Sequence, residues 1–221
     1  MGFTAAHGGL DALLTRMRAL PYYTELFTLA FGDASITEDR LQRAIAQYVR
    51  SIVSLDSRFD RGYAQVYSPQ LREGGINTPF ATFTAQENRG KQLYLQPPRQ
   101  GGAGCAICHT PPSFALTANS RSNGLDAGEV KLFKAPSLKN AAVAGPYMHD
   151  GRFNSLEQVV DHYDHGVQNG PALDNRLRGP AGQGQRLQLA ANDKAALVAF
   201  LRTLTDSSLA ADVRYSDPFR R

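Results

Sequence analysis

Cys105-Ala106-Ile107-Cys108-His109 is the stretch whose residue types and spacing dictate chemistry most directly. In C-x-x-C-H each thiol can form a thioether to a haem vinyl group, while the next imidazole turns onto the iron. Both cysteines of the 221-residue chain lie in the motif, so none is left for a disulfide, a four-cysteine zinc site or a second haem. A redox C-x-x-C should instead open a helix after a strand in a βαβ unit. Here Gly101, Gly102 and Gly104 precede the motif and Pro111 and Pro112 follow it, which suits a loop wrapped onto a cofactor. The motif predicts one covalently bound haem c, attached through Cys105 and Cys108, with His109 as proximal iron ligand.

The residues alone leave the sixth iron position open. Met148 is a candidate, because His/Met ligation is common in c-type cytochromes. Tyr163 is another, on the apolar stripe of its helix; its phenolate charge would favour ferric iron. His149, between Met148 and Asp150, has the setting of a pocket residue, whereas His162 and His165 are expected to face solvent among Asp161, Asp164 and Gly166.

The elements that position these groups are helical. Leu10, Leu13, Leu14, Met17 and Leu20, then Leu26, Phe27 and Ala30, keep helical spacing on either side of Pro21 and predict two helices bent there. Thr37 caps a third helix with Glu38 and Asp39 in its first turn and Leu41, Ile45, Tyr48, Val49 and Ile52 as its packing face. Residues 56 to 83, broken by Pro69, Gly74, Gly75 and Pro79, read as a linker or wrapping loop. Thr84 and Glu87 form a capping box for a helix to about Leu95 that leads into the glycine loop. Asn154 and Glu157 form another, for a helix with Leu156, Val159, Val160 and Tyr163 on its apolar side. A last helix from about Asn192 should bury Leu197, Val198, Leu201 and Leu204. The expected fold is mainly α: a cytochrome c-like haem domain with long loops over 84–221, preceded by a helical segment and linker over 1–83.

Bulk properties exclude other classes. At 42% hydrophobic and 20% charged the composition is that of a globular protein. The net charge of +4 comes without a Lys/Arg run, which argues against a nucleic-acid partner. No apolar stretch approaches the roughly 18 residues needed to span a membrane. The start, Met1-Gly2-Phe3-Thr4, lacks a signal peptide. Covalent haem attachment normally takes place outside the cytoplasm, so a periplasmic location is expected, with a leader or a longer protein upstream.

These residues resemble the bacterial di-haem cytochrome c peroxidases and their MauG relatives. The resemblance rests on Ala30-Phe31-Gly32, Ala46-Gln47-Tyr48-Val49-Arg50-Ser51, Phe59-Asp60 and the haem motif. It continues through Ala135-Pro136-Ser137-Leu138-Lys139-Asn140, Pro146-Tyr147-Met148-His149-Asp150-Gly151, Leu156-Glu157-Gln158-Val159-Val160 and Leu197-Val198-Ala199-Phe200-Leu201. In that family one haem meets peroxide and a second, in the C-terminal half, passes electrons to it. The chain is similar to the C-terminal half and the segment leading into it. Met1-Gly2 resembles the pair after a pocket glutamate of the peroxide-handling haem, and the tryptophan between the haems belongs to the absent half; this chain has zero Trp.

The resemblance implies an oxidoreductase role: an electron-transfer haem serving a peroxide-reducing haem outside this chain, with a small redox protein as electron donor. The alternative is a stand-alone mono-haem cytochrome acting as electron carrier. The family's distal position on the helix after the Pro-Tyr-x-His-x-Gly block matches Tyr163, which the resemblance favours over Met148. A calcium between the haems would take backbone carbonyls matching Ala144 and Pro146; its asparagine ligand lies in the absent half, so calcium should be weak or absent. MauG relays oxidising equivalents through a tryptophan two residues before the motif, where this chain has Ala103, so cofactor maturation by that route is not expected.

Overall fold

The computed structural model describes residues 8–115 and 121–217; Met1 and Gly2 lie outside the described residues. The chain divides into two compact units, Met1–Val53 and Ser54–Arg221. Among the described residues the structure is mainly helical and no strand forms; isolated bridges such as Ser122 with Leu173 and Tyr147 with Phe153 replace sheet.

The first unit holds α1 (Gly9–Arg18), α2 (Pro21–Phe31) and α3 (Glu38–Ser51). Pro21 opens α2 at its first position, where a missing N–H costs nothing, so the expected bend is a break between two helices. Leu14, Met17, Phe27 and Ile36 form a small core, with Leu41 packed against it. Thr37 caps α3 by accepting from Arg40 N. The expected packing face of α3 is a correction: Ile45 is 54% exposed and Val49 59%, and no α3 residue is buried.

The second unit begins at Ser54, so residues 54–83 belong with the helices after them rather than with the helices before. The irregular reading of 56–83 missed α4 (Arg58–Val66), which has a complete capping box between Ser57 and Asp60. Phe59 on α4 sits at the middle of an aromatic core, edge-on to Phe114 at 4.7 Å and within 6.1 Å of Phe200. That burial is what draws the segment into this unit. α5 (Ala85–Leu95) opens on the Thr84/Glu87 capping box, and Arg58 Nη1 reaches Glu87 Oε1 at 2.5 Å.

α7 (Ala191–Arg202) buries Ala196, Leu197, Val198, Phe200 and Leu201 against α5. The two helices approach so closely at Gly90 that a Cβ there would lie 1.9 Å from the Ala196 carbonyl oxygen. Lys91 Nζ, one residue on, donates to Ile76 O (2.6 Å) and Thr78 O (2.5 Å), pinning the loop before α5 to the helix. The short α8 (Ser207–Ala211) follows, capped by Asp206.

Candidate haem site

α5 delivers the chain to the motif through a tight glycine turn in which Ala103 N returns to Leu93 O at 2.8 Å and Gly104 N to Gln96 O at 2.9 Å. Cys105–Ile107 forms a single 3-10 turn, and His109 N closes on Cys105 O at 2.9 Å. Both cysteines are free thiols. Burial pushes the Cys105 thiol up to about 12 and raises Cys108 as well. A thiol redox pair needs a depressed pKa at a helix start; these desolvated thiols on a 3-10 turn have the opposite character.

His109 is oriented from behind. Its Nδ1–H donates to Pro136 O at 2.9 Å, which leaves Nε2 as the basic nitrogen of the neutral ring. Burial lowers its pKa and the backbone of Pro136 and Phe114 pulls the other way. The 135–140 stretch is the brace that supplies this carbonyl. Ser137 Oγ donates to Ser113 O, Leu138 N to Phe114 O and Asn140 N to Leu204 O, and Lys139 pairs with Asp60 of α4.

Asn123, Met148 and Tyr163 come from three separated segments of the chain. α6 (Leu156–Asp161) is capped by Ser155 with Gln158, one residue later than the expected Asn154/Glu157 box. It then widens into a π turn over His162–Gly166. Such turns recur at functional sites, and the changed winding brings both His162 and Tyr163 inward. His162 is therefore a correction to its expected solvent position: it is 6% exposed, and its Nε2–H donates to Asn123 O at 3.1 Å. His165 remains exposed, beside Asp164 at 3.2 Å. Gln185 holds the Tyr163 carbonyl at 2.8 Å.

Asn123 marks where the two candidate sixth ligands meet. Its Nδ2 lies 3.3 Å from Met148 Sδ and 3.5 Å from the Tyr163 hydroxyl. Burial raises the pKa of the Tyr163 phenol and the Asn123 contact opposes this. Asn123 carries no motif signal, and sequence reasoning passed over it.

A charged clasp holds the Met148 loop. Arg152 pairs with Asp126 at 2.9 Å and with Asp150 at 2.6 Å, Ser122 Oγ donates to Glu129, and His149 stacks on Phe133 at 3.8 Å. Asp126, Glu129 and His149 place ligand-type atoms within 4.8 Å of one another, but Arg152 and Ser122 already engage the two carboxylates. Ala144 and Pro146 lie exposed at the start of the same loop.

The donor set fits a haem c: two protonated thiols, an imidazole with its outer nitrogen free, and a thioether and a phenol beside the buried Asn123 Oδ1, which has no hydrogen-bond partner in the structure. No helix among the described residues is long and apolar enough to cross a membrane.

Comparison with known proteins places this arrangement in a family. The chain is 32% identical over 213 residues to the methylamine utilization protein MauG of Methylorubrum extorquens, covering 88% of this chain and 52% of that protein. It is 28% identical over 262 residues to the cytochrome-c peroxidase IdrP1 of Pseudomonas sp. strain SCT, covering 98% and 62%. A crystal structure of a MauG-like protein associated with microbial copper homeostasis superposes with a TM-score of 0.68 at 30% identity, over 95% of this chain and 66% of that one. The chain thus spans about half to two thirds of the length of these relatives. The family model for di-haem cytochrome c peroxidases matches residues 4–67 and 84–212, and the chain belongs to that family.

Proposed function

We propose that this chain is the haem c electron-transfer part of a di-haem cytochrome c peroxidase/MauG-like oxidoreductase, passing electrons to a peroxide-reducing haem outside these residues. The reading rests on one observation: a phenol and a thioether, from positions far apart in the chain, are brought together at Asn123. Bound through Cys105 and Cys108, the haem supplies one-electron redox chemistry. His109, its ring held by Pro136, would supply one iron ligand, and Tyr163, in preference to Met148, would supply the other. A site closed on both sides relays electrons and does not admit peroxide readily. Gly101 and Ile107 are exposed at the two ends of the motif turn, Ile107 at 44%, which suits a small redox protein as donor. A periplasmic location follows from covalent haem attachment. Calcium would be held weakly through the Ala144 and Pro146 carbonyls.

The reading is tested on the purified chain. A pyridine haemochrome spectrum should report one haem with two thioether bonds, and mixing with hydrogen peroxide should give slow turnover. Tyr163→Phe should change the ferric spin state while Met148→Leu leaves it unchanged. Fast peroxide turnover would mean that the site is open, and the reverse mutational pattern would transfer the sixth position to Met148. A second reading, a stand-alone mono-haem cytochrome, is favoured by the confinement of both cysteines to one motif. A second C-x-x-C-H upstream of Met1 in the gene would decide against it.

A further inference from the structure

We propose that Asn123 is a positioning residue that selects the sixth iron ligand, its side-chain amide orienting the Tyr163 hydroxyl and engaging the Met148 sulfur so that the phenol, not the thioether, is presented. The proposal rests on the haem reading above and adds a residue to it.

The three side chains come from positions 123 and 148, in two different loops, and 163, in the π turn after α6, and one nitrogen serves both others. Asn123 Nδ2 has two hydrogens; one is directed at Met148 Sδ (3.3 Å) and the other at Tyr163 Oη (3.5 Å). A primary amide is the one neutral side-chain group that can donate to both at once. With the nitrogen turned this way, the Asn123 carbonyl Oδ1 is left buried without a partner.

Asn123 has little freedom to move. On one side Ser122 N donates to Ala172 O (3.0 Å) and its carbonyl accepts from Asp174 N (3.0 Å). On the other, Gly124 N donates to Ser122 Oγ (2.9 Å) and Gly124 O accepts from Gln168 N (2.8 Å). The carbonyl of Asn123 itself accepts from His162, the residue before Tyr163, so the residue grips the π turn twice.

Met148 is equally constrained. Its φ is +71°, a conformation that side-chain-bearing residues adopt only when the surroundings impose it. Tyr147 N to Phe153 O (2.8 Å) and the Tyr147 hydroxyl to Ala141 O (2.9 Å) impose it here. The backbone therefore carries a competing soft ligand to the edge of the site, where the amide engages its sulfur.

The test uses the full chain with haem attached: wild type, Asn123→Leu, which keeps the shape and removes the donors, Asn123→Asp, which replaces the donor with an acceptor, and the double variant Asn123→Leu/Met148→Leu. A pyridine haemochrome spectrum checks that haem c is bound, and the near-infrared methionine-to-iron charge-transfer band of the ferric protein reads the ligand. Wild type should lack the band. Asn123→Leu and Asn123→Asp should gain it, with the Met-to-Tyr ligation ratio rising about tenfold or more, equivalent to roughly 1.4 kcal/mol; the double variant should lose it again. The proposal is overturned if wild type already shows the band, if both single variants keep the wild-type spectrum with haem bound, or if the band survives in the double variant. Loss of haem from both single variants while wild type stays loaded would overturn it too, because the amide would then serve only the fold. Wild type without haem c would instead overturn the parent reading.

Discussion

The hydroxyl of Tyr94, on α5, donates a 2.5 Å hydrogen bond to the backbone carbonyl of His109. The ring of Tyr94 is fully buried between Phe114 and Phe200, so this bond ties the motif histidine directly to the aromatic core. Tyr94→Phe keeps the packing and removes the donor. It should cost about 1–3 kcal/mol, read as a fall in the melting temperature of the haem-loaded protein of about 2–4 °C per kcal/mol. An unchanged melting temperature would show that the carbonyl is equally well solvated without the tyrosine.

The crossing of α5 and α7 is set by Gly90. A methyl group there would meet the Ala196 carbonyl at 1.9 Å, and backbone on both sides cannot yield without separating the helices. Gly90→Ala should therefore destabilise the protein by about 1–3 kcal/mol or more, although the same change in an exposed helix would stabilise it. Denaturant unfolding gives the sign directly, and a more stable Gly90→Ala variant would refute this close approach.

Cys105→Ala leaves a single thioether through Cys108. The pyridine haemochrome band should shift toward that of a haem with one free vinyl group, while His109, braced by Pro136, should still hold the iron. Haem extractable in full by acidified solvent from this variant would show that Cys108 is not an attachment point.

Asp206 should govern part of the acid stability. Burial works to raise its pKa, but hydrogen bonds from Ser208, Asp56, Ser54 and Leu209 outweigh this and hold it at about 2. Because the folded value lies below the ordinary carboxylate value of 3.8, its contribution is present above that value and is lost as pH falls toward 2. Asp206→Ala removes the α8 cap and should cost about 0.5–2 kcal/mol at neutral pH. Its unfolding curve should also be flatter than wild type between these two pH values. Parallel acid profiles would indicate that other carboxylates carry the effect.

The helices were legible where short-range signals exist. The Thr84/Glu87 capping box, the Thr37 cap and the apolar spacing of α7 each correspond to the element that forms. Ser57 and Asp60 carry the same box signal for α4, but the breakers from Pro69 onward mask it. The Asn154/Glu157 box was displaced by one residue, since Ser155 with Gln158 satisfies the same geometry and lies nearer the first buried residue, Leu156. The apolar face of α3 shows the limit of periodicity: it identifies an amphipathic helix, not what covers it.

By itself, the sequence determined the helical class and the family, and set the C-x-x-C-H spacing of Cys105, Cys108 and His109, because each depends on residue types at fixed spacing. Only the tertiary structure decided that Pro136 would hold the His109 ring, that a π turn would bring His162 in beside Tyr163, and that Asn123 would join Tyr163 to Met148. These contacts span 25 to 40 residues through segments that have no period. The bonds that hold Asn123's neighbours to residues 168, 172 and 174 are likewise long-range, and packing of that kind leaves no local mark on the chain.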